Sequence, residues 1–338
     1  MYITNNFRDA NSESGVILIV MLWILTALAV MTLSFARESR MEMSAARNTQ
    51  TLEKSYFIAR AGMETTIYWL LQQRMSGTVR QSAVQRDADP IDVGRITGSF
   101  GGGVYQVDIV DESGKININT VSEQQLFALI RASGIEEPDA SIITESILDW
   151  RDQDDDPHPN GAEEEYYQSL EPAYKPKNGR IAAVEELLLV RGMTRDYFYG
   201  KPERSSDGTV TYMYGLSRFF TVYLTRDQIN VNHAELPTLM SIPGMPESTA
   251  RAIYERRHVA PFRDIAELSR EISNSAILSR LTTAQTGTLT LTAAARADNS
   301  RAVRVIRAVV NLNAGRTQNS YQILYWNENI SDYEGMAP

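Results

Sequence analysis

The residues best suited to chemistry are concentrated in one stretch, Asp149-Trp-Arg-Asp-Gln-Asp-Asp-Asp-Pro-His-Pro-Asn-Gly-Ala-Glu-Glu-Glu-Tyr-Tyr167. Asp152, Asp154 and Asp156 alternate, and Glu163 stands at the twelfth position of a calcium loop that would begin at Asp152. The pattern departs from an EF-hand at Pro157, which replaces the glycine that makes the sharp turn, so a strict EF-hand is not expected. The carboxylates remain hard oxygen ligands, and crowding them without a cation raises the pKa of some through mutual repulsion. Two readings follow: a calcium-binding loop turned at Asn160-Gly161, or a solvated acidic loop. Aspartate acid–base catalysis is a weaker third, because no nucleophile lies nearby.

Other chemistry is sparse. His158, His233 and His258 are scattered and form no ligand spacing. No nucleophile elbow, phosphate-binding loop or dinucleotide fingerprint occurs, so nothing in the chain points to an enzyme. Leu239-Met-Ser-Ile-Pro-Gly-Met-Pro-Glu-Ser-Thr-Ala-Arg-Ala-Ile-Tyr254, with Pro261-Phe-Arg-Asp-Ile-Ala-Glu-Leu268 after it, resembles the helix-hairpin-helix modules of DNA-binding and DNA-uptake proteins. Those modules offer backbone N–H groups at a helix N-terminus to phosphate. Here Gly244 is present, but Pro246 takes the second glycine position and removes one donor. A hairpin that only packs is the competing reading. A membrane-tethered DNA-binding protein relying on Arg251, Arg256 and Arg257 is the alternative functional class.

The elements that must position these residues follow from periodicity. Val16 to Ala36 is 21 residues without a charge, enough for a helix to cross about 30 Å of hydrocarbon. The helical pattern continues without proline to Tyr68-Trp-Leu-Leu71, so the helix should leave the membrane and dock on a folded body. A secretory signal would carry its small residue after the apolar core, whereas Gly15 precedes it. Arg8 is offset by Asp9 and Glu13, and Arg37 and Arg40 lie beyond the span, so flanking charge does not orient it. Small residues and hydroxyls at Thr26, Ala27, Ala29, Thr32 and Ser34 suit lateral helix packing.

Ser76 to Gly103 reads as loop. Val104–Val110, Thr288–Thr292, Ala302–Val310 and Tyr321–Trp326 alternate as strands, the last three divided by Ala-Asp-Asn-Ser and Asn-Ala-Gly-Arg turns. One strand alone at 104–110 would have no sheet, so the order predicts a single discontinuous α+β unit, 37–115 with 286–330, interrupted by an all-α insertion over 116–285. The insertion repeats itself. Ile116-Asn-Ile-Asn-Thr120 precedes Gln125–Gly134, and Ile229-Asn-Val-Asn-His233 precedes Leu236–Gly244. In each, a short extended segment enters through Asn with Thr or His, residues that can cap the next helix, which ends near a glycine. Glu185–Gly192 has the same helix-then-glycine form.

Composition sets outer limits. The 338 residues are 43% hydrophobic and 22% charged, which suits a globular protein rather than a disordered one. A net charge of −9 argues against a broad nucleic-acid footprint, and no nucleic-acid partner is expected. With no cysteine, thiol catalysis, cysteine–zinc sites and disulfides are excluded.

A polar leader ending at Gly15, an apolar helix directly after it and a β-rich C-terminal part together resemble type IV prepilins and the pseudopilins of type II secretion. Gly-Val-Ile-Leu-Ile from Gly15, Asp111-Glu-Ser-Gly-Lys-Ile-Asn-Ile-Asn-Thr120, the Asp149–Tyr167 segment and Ile229-Asn-Val-Asn232 are similar to those of the minor pseudopilin general secretion protein K family. The resemblance implies a pilin-like α+β fold: a long N-terminal transmembrane helix packed on a small antiparallel sheet, with a helical insertion of SAM-like or helix-hairpin-helix-like repeats. It implies removal of leader residues 1–15 by a prepilin peptidase between Gly15 and Val16, with methylation of the new terminus. Residues 16–36 would then anchor the chain in the inner membrane with its body in the periplasm. It implies calcium in the acidic motif, where Asp152, Asp154, Glu163 and Glu164 match, with Asp156 added from loop spacing. The implied partners are I- and J-type minor pseudopilins and the major pseudopilin.

Val20 stands where major pseudopilins carry the glutamate thought to meet a neighbour's N-terminal amine. A charge there costs about 2.5–3.5 kcal/mol on insertion scales, so it is retained where a partner compensates it. Its absence, with a bulky insertion above, implies a place at the filament tip and a role in starting assembly.

Overall fold

The computed structural model describes residues 10–75, 92–204, 210–298, 300, 302–313 and 320–330. The chain opens on one long helix, α1 (Ala10–Met75), followed by β1 (Asp92–Ser99) and β2 (Gly103–Asp111). It then runs through β3 (Ile116–Asn117), α2 (Glu123–Ala132), α3 (Asp139–Arg151), α4 (Glu164–Gln168), a 3-10 segment (Val184–Leu189), α5 (Arg195–Tyr199), β4 (Gly200–Arg204) and β5 (Val210–Tyr214). Next come a 3-10 turn (Leu216–Arg218), β6 (Phe220–Thr221), β7 (Ile229–Asn230), α6 (Leu236–Met240), α7 (Glu247–Val259), α8 (Ile265–Glu271), α9 (Ser275–Leu278) and β8 (Leu281–Thr282). The chain returns as β9 (Thr288–Ala297), β10 (Val303–Asn311) and β11 (Gln322–Asn327).

Five strands form one antiparallel sheet in the order β1-β2-β9-β10-β11. Asp111 pairs with Leu289 across β2 and β9, so the insertion leaves and re-enters at the ends of neighbouring strands. This is the discontinuous α+β arrangement that the strand order predicted. The two halves of α1 differ. From Val16 to Phe35 its large apolar side chains are exposed, and this part is long and apolar enough to cross a membrane. From Ile58 to Leu71, the side chains of Ile58, Ala59, Met63, Ile67 and Leu71 are buried against Val107, Ile109, Leu291, Ala293, Ile306 and Val310 of the sheet. Gly62 lies under the Tyr105 ring, where a Cβ would be 2.6 Å from Cδ2; glycine lets helix and sheet approach. In the apolar half, Thr26 and Thr32 donate their hydroxyls to their own helix, at Trp23 and Leu28 O.

Two expectations change here. The stretch read as loop contains β1 at 92–99, while 76–91 lies outside the described residues. Gly94 and Gly98 break its alternation, and it becomes a strand only because β2 offers a partner. The insertion, expected to be all helical, also contains three two-stranded pairs, β3-β6, β4-β5 and β7-β8. Of the four two-residue strands, β3 and β7 lie in the segments read as extended, while β6 and β8 are too short for periodicity to register. The turn after Asn313 falls partly outside the described residues; Ser300 N donates to Ala297 O at the other turn.

The insertion has its own core and is a structural duplication. In one repeat β3 pairs in parallel with β6, and in the other β7 pairs in parallel with β8. Asn117 Oδ1 accepts from Asn119 N and its amide donates to Leu224 O; Asn230 Oδ1 accepts from Asn232 N and its amide donates to Ala284 O. Asn119 exchanges two bonds with the Ile181 backbone, as Asn232 does with Phe262. Arg151 donates to Ile118 O and Val121 O, as buried Arg257 does to Val231 O and Ala234 O. The asparagines are therefore turn-makers and not the expected helix caps: Ser122 caps α2, and Glu235 precedes α6. Gly134, Gly192 and Gly244 close their helices at φ of 99°, 81° and 81°.

Candidate metal centre

Helix α3 ends at Arg151, and its last turn and the loop after it carry the acidic residues. The helix presents Trp150 inward, packed edge-on against Tyr167 at 5.3 Å, and the tyrosine follows the loop in α4. This aromatic clasp joins the two ends of the loop. Arg191 donates to Gly161 O (2.7 Å), and Glu145 accepts from Asn160 N (2.6 Å) and from its amide (2.9 Å), which fixes the Asn160-Gly161 turn from outside.

Within this frame, Asp152, Asp154 and Glu163 each present one oxygen, all within 4.8 Å of one another. Glu163 is buried, and neither of its carboxylate oxygens has a hydrogen-bond partner; Oδ1 of Asp152 is buried and unpartnered as well. Burial, then repulsion from Asp149, Asp152 and Asp155, pushes the Glu163 carboxyl up to about 7. Asp152 is raised by burial and by Asp154 and Asp149. Buried, unsatisfied carboxylate oxygens facing one another are the donor set of a hard cation, which would supply the missing charge and the missing bonds. Asn178, held at φ 43°, donates to Asp154 O (3.2 Å) and Asp155 Oδ1 (3.0 Å), and its own Oδ1 is buried without a partner.

Asp156 and Glu164 lie elsewhere in the loop. Asp156 is exposed, its backbone N donating to Asp154 Oδ1 (3.1 Å), and Glu164 pairs with Lys175 at 2.7 Å. Sequence spacing missed Asp149 and His158, which form a second group with Asp152. Asp149 is fully buried, accepts from the His158 backbone N and contacts its Nδ1, and this hydrogen bond raises the imidazole pKa against an opposing effect of burial. Gly161 packs on the Asp149 carboxylate so closely that no side chain fits. The available signal was helical: Asp149 precedes Asp152 by one turn at the end of an amphipathic segment.

The other predicted positions are described by their surroundings. Gly15 and Val16 lie inside α1, Gly15 with open space around it and Val16 exposed; residues 1–9 are outside the described residues. Val20 is 51% exposed on the apolar half. His233 is buried beside Asp111 (3.8 Å) and its pKa is lowered by burial, while His258 packs edge-on against Tyr254. In the helix-hairpin-helix-like segment, Arg251 pairs with Glu247, Arg256 with Glu267 and Glu271, and Arg257 is buried on carbonyls. These arginines already have internal partners, which leaves phosphate little to attract it.

Comparison with known proteins is consistent with these features. The family model for type II secretion system (T2SS), protein K matches residues 107–199, and a helix-hairpin-helix motif model matches residues 225–272. The type II secretion system protein K of Pectobacterium carotovorum is 31% identical over 115 residues, 32% of this chain and 35% of that protein. That of Klebsiella pneumoniae is 27% identical over 195 residues, covering 54% of this chain and 58% of its own. The chain thus spans between 35% and 60% of the length of the curated relatives it matches. A chain of the crystal structure of the GspK-GspI-GspJ complex from enterotoxigenic Escherichia coli shares the fold, with a TM-score of 0.60 at 16% identity over 85% of this chain and 99% of that one. In its matching domain, its relatives and its fold, the chain is similar to type II secretion system protein K.

Proposed function

We propose that the protein is a minor pseudopilin that caps and helps to start a type II secretion pseudopilus, and that its work is association, not chemistry. The observation that carries this reading is the division of α1: an exposed apolar half at one end, and a second half buried on a sheet whose insertion makes the body bulky. The apolar half would anchor the chain in the inner membrane after a prepilin peptidase cuts between Gly15 and Val16, and the new terminus would be methylated. It would later pack against neighbouring helices in the filament. Val20 leaves no carboxylate to engage a subunit above, which suits the tip. The body would lie in the periplasm, and I- and J-type minor pseudopilins, with the major pseudopilin below them, are the proposed partners.

Calcium is the proposed ion. Asp152, Asp154 and Glu163 would hold it through oxygen, and bound calcium would supply positive charge that fixes the loop between α3 and α4.

Co-expression with a prepilin peptidase and with I- and J-type subunits tests the assembly reading. N-terminal sequencing should give Val16, and the three minor subunits should co-purify; an intact Met1, a cut after Ala36 or no co-purification would contradict it. Calcium titration of the full chain should raise its melting temperature, and Asp152→Ala with Asp154→Ala should abolish the rise.

A further inference from the structure

The two repeats of the insertion meet at a pocket of about 170 Å³ lined by residues of both. Asn117, Gln125 and Ile229 form its buried floor, Ser122 stands at the cap of α2, and Arg226, Asp227 and Arg280 make its exposed rim. The repeats also exchange arginines. Arg218, just before β6 of the first repeat, reaches the second repeat and pairs with Glu235 at the start of α6 (2.8 Å). Arg280, directly before β8 of the second repeat and one register position on from Arg218, level with Phe219, reaches the first and donates to Gln125 in the first turn of α2 (3.4 Å). Ser122 is the counterpart of Glu235, because Asn117 corresponds to Asn230 in the duplicated turns. One arginine therefore meets a buried carboxylate of the chain itself, whereas the other meets a neutral amide and a pocket.

We propose that this pocket binds a carboxylate, which takes beside Arg280 and Ser122 the place that Glu235 fills beside Arg218. The charge of the lining fits a monoanion. Lys115 is paired with Glu112, and among the described residues neither Arg226 nor Arg280 has an ion pair; with Asp227, held by the Thr120 hydroxyl, the remainder is one net positive charge. The ligand class is an organic carboxylate, whether a peptide terminus or acidic side chain, or a free small acid. The pocket shares no lining residue with the loop that holds Asp154 and Glu163, so it is a separate site.

The test uses the full chain in detergent and calorimetric titration with three probes: acetate, a short peptide with a free C-terminal carboxylate, and inorganic phosphate. Acetate or the peptide should bind, and Arg280→Gln should weaken binding about tenfold, the value of one hydrogen bond to a charged group. A peptide that binds more tightly than acetate identifies a polypeptide source, and equal binding identifies a small acid. Ser122→Glu should supply the carboxylate internally, raise the melting temperature and abolish binding of both. The proposal is overturned if neither probe binds, if Arg280→Gln leaves affinity unchanged in a folded protein, if Ser122→Glu binds acetate as the parent does, or if phosphate binds more tightly than both carboxylates.

Discussion

The Asp149 carboxylate fills the space in which any side chain on Gly161 would begin. The contact joins the last turn of α3 to the far side of the acidic loop, with His158 held between them by Asp149. A buried carboxylate is thus seated by a glycine just ahead of α4, which begins at Glu164, and the loop's shape depends on both.

Gly161→Ala should therefore displace Asp149 and loosen the loop. Overpacking of this kind costs about 1–3 kcal/mol. Thermal melts should show the loss, and the calcium-induced rise in melting temperature should shrink with it; an unchanged calcium response would show that Gly161 does not set the loop.

Without metal, stability should fall as pH rises from about 4.5 to about 7. The Glu163 carboxyl titrates at about 7 in the folded chain, against 4.5 as its ordinary value. The folded state thus holds the proton more tightly than the unfolded one, so its contribution is complete below the ordinary value and is lost through the folded value. Melts in chelator across this range should show the slope, Glu163→Gln should flatten it, and saturating calcium should offset the loss at pH 7.

Arg257→Gln should destabilise the insertion by about 3 kcal/mol, since two carbonyls lose charged donors in a buried position. Arg151→Gln, at the matching but half-buried place, should cost less. Paired denaturant melts would compare them, and equal losses would contradict the weight given to burial.

Gly62→Val should separate α1 from the sheet at Tyr105, with a loss of about 1–3 kcal/mol. Tyr105→Ala in the same chain should recover part of it, measured as a double-mutant cycle.

No salt-dependent affinity for duplex DNA is expected, because Arg251 and Arg256 are paired to glutamates and Arg257 is buried. Fluorescence anisotropy near physiological salt would detect it, and binding lost on neutralising Arg251 and Arg256 would reverse this reading.

The features legible in sequence are those whose cause is local. Strands β2, β9, β10 and β11 alternate along their own length, and the apolar run of α1 is continuous. The repeated Ile-Asn-x-Asn turns were visible because each asparagine folds back on its own backbone at Asn119 or Asn232. β1 was not legible: its glycines carry no pattern, and its strand conformation depends on bonds to β2. In the acidic loop, the alternation of Asp152 and Asp154 was plain, but the nearness of Asp149 depends on where α3 ends and how Gly161 packs.

By itself the sequence determined a long helix with an apolar half, a strand order that requires a discontinuous sheet, and a loop rich in hard oxygen ligands, all consequences of short-range spacing. Tertiary structure alone decided that Glu163 turns inward without a hydrogen-bond partner while Glu164 turns outward to Lys175. It also decided that Arg218 finds a carboxylate across the repeats where Arg280 finds a pocket. Adjacent residues of one type read alike in a chain, and only the packing of distant segments determines which of them is taken out of water and what it meets there.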